Sequence, residues 1–543
     1  MKLKYTLGII LLVISQHAYC QRSQPDGSSE PSNSNSLDVV ANSVTNLAQK
    51  ISRAIVSQRS KTEIFSPVSI AGALSLLLLG SGGTTRSELM DLMGFSSEQI
   101  NFTDIHKGFG KLFRELVSND PSVKANVPWR ENDKCNNIDY EDDDFMSSRG
   151  SFHSSAKGSR PRRDADNYVD ENNGNVSIGN GVFAQQGQNF DEKYELLAKQ
   201  LYQSAMKFLD FANNPQKAVA FINDWVRVQT RGKIPEIVSH LDGDTLLVIA
   251  NTLYFKGEWE EPFLKDGTKL RKFFPNGPKK ASSDVMMMVH GGCFPYYYWK
   301  EADVRVLGIP YKKNYTMYIL MPTDSDRSKL VALHDKINAS IINEIIGKME
   351  VKTVSIQLPK MHMLNSFSLK QVLEQLGASS IFDRHSSDLT RILAGSGSLS
   401  RVDTTNVEDI LDWLGDTKEN AENKLREEFS NCVITEKDVD TKETCEKDPR
   451  CRFGGDTCVC CSKFGFRRRR EAGYQRLFVN EVIHKVDVVI NEKGTEGGAV
   501  TATLLDRITP QVNFRANGPF LLLIRDEATK LPLFYGSVYD PSN

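Results

Sequence analysis

Apolar side chains change their spacing along this chain, and each change marks an element. Leu37, Val40, Val44, Leu47, Ile51 and Ile55 recur at steps of three and four, the stripe of an amphipathic helix with one buried face. Ile105, Phe109, Leu112 and Leu116 repeat that spacing and predict a helix over Asp104–Val117, with Lys107, Lys111 and Arg114 on its opposite face. Gln216–Val228 and Leu369–Leu376 also read as helices. Short runs of branched or aromatic residues at Leu247–Phe255, Tyr315–Met321, Val354–Pro359, Val482–Ile490 and Phe520–Ile524 predict strands. The mixture predicts an α+β fold with substantial sheet.

Two stretches break this texture. Residues 120–175 hold Asp139-Tyr-Glu-Asp-Asp-Asp144 and Arg160-Pro-Arg-Arg163 with few large apolar side chains. Residues 396–475 hold a charged segment, the cysteines 432, 445, 451, 458, 460 and 461, and Arg467 to Arg470. Both read as insertions at loop positions, where long additions cost little closure entropy. At the start, Lys2 and Lys4, the apolar run Leu7–Ile14 and Ala18-Tyr19-Cys20 have the layout of a secretory signal peptide over residues 1–20. Residues 21–36, rich in Ser, Asn and Pro, are expected to be a disordered tail before the main domain, 37–543.

The 67 basic and 69 acidic side chains give a net charge of -2, which excludes a strongly basic nucleic-acid binder. No later run approaches the roughly 18 apolar residues of a membrane span, so a soluble, extracellular protein is expected. In that compartment the cysteines beyond Cys20 are expected to form disulfides, up to three of them within 432–461. Zinc is the rival reading there, disfavoured because no clean paired C-x-x-C spacing occurs; no metal or cofactor is expected. Cys135 and Cys293 either pair with each other or stay free. Asn101, Asn175, Asn314 and Asn338 begin glycosylation sequons. Arg163 and Arg470 end R-x-R-R patterns of the kind cut by secretory convertases, and Tyr140 sits among acids that favour sulfation.

Four motifs then stand in order: Phe65-Ser-Pro-Val-Ser69-Ile70, Asn251-Thr-Leu-Tyr-Phe-Lys-Gly257-Glu-Trp259, Asn491-Glu-Lys-Gly-Thr-Glu-Gly-Gly-Ala-Val500, and Phe520-Leu-Leu-Leu-Ile524 with Leu533-Phe-Tyr-Gly536. Together they resemble the serpin family of serine protease inhibitors over nearly all of the chain outside the insertions. The resemblance implies three β-sheets, about nine helices and an exposed reactive loop near the C-terminus, here within 491–519. It implies that a protease cleaves the loop, forms an acyl-enzyme, and is carried away as the loop inserts into the central sheet. Such insertion is an established example of strand addition and of a switching transition. Carried over by residue, Ser66, Ser69, Asn251 and His484 form the polar group beneath the opening sheet. Trp259 belongs to the breach at the top of that sheet. Glu492, Gly494, Thr495, Gly497, Ala499, Thr501 and Thr503 belong to the hinge. The two insertions look similar to those of arthropod serpins acting in melanisation and immune cascades.

A central strand must present small or apolar side chains inward at every second position and contain no proline. Thr495, Gly497, Ala499, Thr501 and Thr503 are all small, and no proline follows until Pro510. Ladder bonds worth roughly 1 kcal/mol each over about ten residues would release on the order of 10 kcal/mol. Gly497-Gly498 departs from the alanine of inhibitory relatives, at about 0.5–1 kcal/mol per position. Val289 stands where relatives keep a lysine for Glu492, so that ion pair is expected to be missing. His484 shares a strand face with Val482, Val486 and Val488, so it should be buried and hydrogen-bonded.

The family's loop length, counted from Gly494, puts the cut between Ile508 and Thr509. One residue back it falls between Arg507 and Ile508, favoured because arginine gains a charge-assisted pair in a trypsin-like pocket. The reading is a monomeric inhibitor whose partner is a trypsin-like serine protease, with sulfated polysaccharide as a second partner of the Asp104–Val117 helix. The alternative is a non-inhibitory serpin acting as carrier, chaperone or storage protein; its usual mark, a bulky, charged or proline-bearing hinge, is missing. The chain has no G-x-S-x-G elbow, and no enzyme is expected.

Overall fold

The computed structural model describes residues 33–55, 60–118, 127–131, 176–394, 401–414, 434–437, 451–454, 457–461, 477–495 and 510–542. Helix α1 (Asn33–Ile55) leads through strand β1 (Thr62–Phe65) to α2 (Pro67–Gly80), α3 (Gly83–Met93), α4 (Phe102–Ser118) and α5 (Pro128–Glu131). Then come β2 (Val176–Gln185), α6 (Glu192–Tyr202), β3 (Ser204–Leu209), α7 (Pro215–Gln229), β4 (Leu247–Phe255), β5 (Gly257–Glu258) and β6 (Leu264–Phe273). Strands β7 (Ser283–Trp299), β8 (Val304–Pro310) and β9 (Tyr315–Pro322) precede α8 (Arg327–Lys336), α9 (Ala339–Gly347), β10 (Glu350–Pro359), β11 (Met361–Ser368), α10 (Lys370–Gln375) and α11 (Arg401–Trp413). The chain closes with β12 (Ile434–Lys437), β13 (Cys451–Gly454), β14 (Thr457–Cys461), β15 (Glu481–Ile490), β16 (Gly494–Thr495), β17 (Val512–Arg515), β18 (Phe520–Asp526) and β19 (Pro532–Val538).

The central sheet has five strands in the order β11-β15-β4-β2-β3. Nine further strands run β1-β19-β18-β9-β8-β7-β10-β17, with β6 on β7. Strand β7 is 17 residues long, and its two ends serve different neighbours. Its first part pairs with β6 and β10, while Tyr296–Trp299 pair with β8. The nine strands therefore divide at β7 into two sheets, which with the central one make the three expected. Nine of the eleven α-helices among the described residues have nine or more residues, α5 and α10 being shorter. The small sheet β12-β14-β13 is built from the cysteine-rich stretch 434–461.

Helix α2 explains how these sheets hold together. Its sequence PVSIAGALSLLLLG is apolar all round, and every residue is buried. A helix of that kind needs cover on all sides, and α2 finds it against β19, β4 and β2, between the sheets. Pro67 opens it, a position where the missing N–H costs nothing. The periodic readings hold elsewhere too: β4 coincides with Leu247–Phe255, and Ile105, Phe109, Leu112 and Leu116 of α4 are buried.

Three expectations need correcting. Helix α1 begins at Asn33, so the polar tail gives up its last four residues to a helix; once the stripe from Leu37 is anchored, another turn adds little cost. Residues 120–175 are not wholly outside the core, because Val127 and Trp129 are buried in it. Residues 396–475 likewise contribute α11, whose Val407, Ile410 and Leu411 are buried at i, i+3 and i+4, with α11 packed on α4. Charge along 396–415 hides that stripe.

Among the described residues no helix is long and apolar enough to cross a membrane. Because Ile410 is fully buried, Ile410→Ala should cost about 2–4 kcal/mol, seen as a lower denaturant midpoint. Glu408→Ala, which removes only an exposed ion pair with Lys193, should stay within about 0.5 kcal/mol.

Candidate functional site

Strand β15 runs parallel to β4, and the two are paired only over Glu481–His484 against Val248–Asn251. At the end of this pairing His484 stands beside Asn251. The Ser66 N–H, at the start of α2, donates to His484 Nε2 at 3.0 Å. An accepting Nε2 leaves the ring proton on Nδ1, so the imidazole is neutral. Complete burial enforces this by pushing its pKa down to about 3. Ser69 Oγ donates to Asn251 Oδ1, and Asn251 Nδ2 donates to Asn180 Oδ1 at 2.7 Å. Asn180 Nδ2 in turn donates to the Tyr202 carbonyl at 3.0 Å. A buried line of polar groups thus links α2, β4, β2 and the end of α6.

The structure bonds Ser66 to His484 and Ser69 to Asn251, and it adds Asn180, which sequence reasoning missed. The one local signal is an amide flanked by Gly179 and Gly181 inside a strand. Its partner follows from the β2–β4 register, which sets Asn180 opposite Asn251. Gly72 is the matching feature on α2: a Cβ there would lie 3.2 Å from Asn180 Oδ1.

Beyond His484 a narrow cleft is lined by Leu253 and Phe255 of β4, by Asp487 and Val489 of β15, and by Thr230, Lys233 and Ile234 just after α7, and it reaches Thr495. Trp259 lies beside the chain leading to Thr495. The indole is fully buried, stacks on Tyr311 at 4.1 Å and donates from Nε1 to the Asn491 carbonyl at 2.9 Å. The Trp259 and Phe263 N–H groups donate to the carbonyls of Lys493 and Glu492 at 3.0 and 2.8 Å. Gly494 then takes φ +144°, and a Cβ there would sit 2.0 Å from the Gly257 carbonyl oxygen, so only glycine lets β16 pair with β5. Thr495 is buried, its hydroxyl 2.9 Å from Tyr311 Oη.

Glu492 corrects one expectation. Val289 is apolar, as read, and pairs with Leu264, yet Glu492 does have a cation: Lys360 Nζ lies 3.0 Å from its Oε2. Thr268 Oγ1 donates to Oε1 at 2.8 Å. Burial pushes the carboxyl upward, but its hydrogen bonds, including those from Lys360 and Thr268, outweigh this and hold it below the ordinary range. Lys360 follows β10 directly, and its placement comes from strand packing.

The helix expected to face polysaccharide is present, but its cations are partly covered. Lys107 and Lys111 are half-buried, with Nζ atoms 5.9 and 5.6 Å from the centre of the Trp413 ring on α11. Arg114 is exposed. Asn101 and Asn338 are exposed helix caps accepting from Asp104 N and Ile341 N, and Asn314 is half-buried. Cys293 is disulfide-bonded. Gly497, Ala499, Thr501, Thr503, Arg507, Ile508 and Thr509 lie outside the described residues, as do Cys135, Tyr140, Arg163, Asn175 and Arg470.

The family model for "Serpin (serine protease inhibitor)" matches residues 42–133, 136–412 and 462–541, and the chain belongs to the serpin family. It is 29% identical over 513 residues to serine protease inhibitor 28Dc of Drosophila melanogaster, covering 93% of this chain and 80% of that protein. It is 26% identical over 508 residues to alpha-1-antiproteinase of Ovis aries, covering 93% and 88%. The insect relative is consistent with the arthropod resemblance. Human kallistatin has the same fold, with a TM-score of 0.61, 20% identity and coverage of 94% and 100%. So has human thyroxine-binding globulin complexed with its hormone, with a TM-score of 0.63, 19% identity and coverage of 94% and 100%.

His484 makes a pH prediction. Its folded pKa lies below the unfolded value near 6.5, so the unfolded chain binds the extra proton. The resulting stability is complete above about pH 6.5 and declines by about 1.4 kcal/mol per unit as pH falls toward 3. His484→Gln retains an acceptor without the titration. Its stability deficit against the parent protein should therefore shrink by about 2 kcal/mol between pH 7 and pH 5, measured by denaturant unfolding.

Proposed function

We propose that this chain is an exported suicide-substrate inhibitor of a trypsin-like serine protease. The observation that carries the reading is the unpaired stretch between β4 and β15 beyond His484, with Thr495 buried at its mouth. Gly497, Ala499, Thr501 and Thr503 continue from Thr495 at every second position, and each is small enough for the interior of a central sheet. A strand entering the cleft would find unpaired backbone groups on both sides, and their pairing supplies the drive.

The bait is the Arg507–Ile508 bond. The protease serine oxygen bonds to the Arg507 carbonyl carbon, the peptide bond to Ile508 breaks, and the Ile508 nitrogen leaves as an amine. The freed limb enters beside β4 while the acyl ester still ties the protease to Arg507. The carrier reading is disfavoured by the same hinge, because a bulky, charged or proline-bearing inward position would stop insertion at its first residues.

Trypsin-like, chymotrypsin-like and elastase-like proteases mixed with the protein and resolved on denaturing gels test this reading. A trypsin-like protease should give a covalent adduct that Arg507→Ala abolishes and Ile508→Ala largely spares. Cleavage with no adduct would overturn inhibition. Loss of the adduct in Ile508→Ala, with the cut mapped after residue 508, would move the reactive bond to Ile508–Thr509.

A further inference from the structure

Among the described residues strand β6 pairs with β7 alone and so forms an edge. Lys265, Lys269, Arg271 and Lys272 along it are exposed, against one exposed acid, Asp266, and Lys279 and Lys280 just beyond it are exposed too. Lys272 pairs with Asp284 at 2.9 Å, whereas the other five make no ion pair among the described residues. Leu270 and Met286, opposite one another across β6 and β7, are 63% and 45% exposed. Lysines guard sheet edges against unwanted pairing, but that role does not call for two large apolar side chains in the open. Strand alternation puts Leu270 and Met286 on the face of the Lys272–Asp284 pair and Lys269 and Arg271 on the other, so this edge is open to solvent on both faces and carries its free cations on one of them.

The position of β6 narrows the choice of partner. Thr268 in the strand bonds Glu492 at the outgoing root of the reactive loop. The N–H of Phe274, immediately after the strand, donates to the Asn517 carbonyl beyond the returning root at 2.8 Å. A protease that grips a bond between these roots comes against the strand tied to both of them. We propose that β6 is a secondary docking surface for the target protease, engaging an acidic surface patch outside its substrate cleft. The proposal rests on the inhibitory reading above. Unpaired cations act chiefly on encounter: they raise the association rate at low salt and lose that effect as salt screens them.

Anionic and cationic trypsin, which share one arginine-specific pocket and differ in net charge, separate docking from cleavage. The second-order rate constant of adduct formation is measured with each at low and high salt. The parent protein should trap anionic trypsin about tenfold faster than cationic trypsin at low salt, with the gap closing at high salt. Lys265→Glu, Lys269→Glu and Arg271→Glu combined should erase that preference while leaving inhibitory stoichiometry and thermal midpoint unchanged. If the triple replacement lowers the midpoint, the corresponding three glutamine replacements provide the same comparison. Equal rates for both trypsins with the parent, or an undiminished preference in the variant, would overturn the docking surface and leave inhibition standing. Loss of heparin-column retention without any change in trypsin rates would make the ridge a polyanion site and also overturn it. No adduct with either trypsin would overturn the trypsin-directed reading, and the docking proposal with it.

Discussion

Everything that distinguishes this molecule from a settled α+β domain follows from the half-made pairing between β15 and β4. On its other side β15 is bonded along its length to β11, from Ile483 to Ile490, so the strand is firmly placed. Toward β4 the ladder ends at His484. Buried backbone groups without partners are costly, and an interruption in a central sheet needs other interactions to hold its walls. Here these lie at the two ends of the cleft: the line His484, Ser66, Ser69, Asn251 and Asn180 below, and the clamp of Trp259, Tyr311 and Thr495 above.

Most contacts in both groups are neutral hydrogen bonds between buried partners. The imidazole of His484 is kept uncharged by desolvation, and burial likewise pushes the Tyr311 hydroxyl far above its ordinary range, so it stays protonated. Such bonds owe their strength to geometry and dryness, and a change of strand spacing breaks several together. Glu492 is the charged exception. It sits where the hinge meets the sheet, held by Lys360 and Thr268. The chain just after β15 is therefore fixed from the β6 and β10 side as well as by the central sheet.

Residues 120–175 and 396–475 touch the core through short apolar patches. Val127 and Trp129 serve the first, and Val407, Ile410 and Leu411 the second. Helix α11 also sets Trp413 against Lys107 and Lys111 and so covers part of the cationic face of α4. The cations of β6 remain in the open.

The sequence by itself determined the elements whose cause is local. The stripe of α1, the three-and-four spacing of α4 and the β-branched run of β4 were legible because period and composition act over a few residues. The need for glycine at 494 was legible through the motif that contains it. Only the tertiary structure decided that Asn180 completes the polar line, because this depends on its register opposite Asn251. It also decided that Lys360 replaces the lysine missing at 289, and that Trp129 and Ile410 belong to the core. These partners are set by which strands and helices come to lie side by side, and no pattern within a short window carries that information. The reach of β15 toward β4 is of the same kind: each strand can be read from its own residues, but the point where their pairing stops is settled by the packing of α2 beneath them and the clamp of Trp259 above.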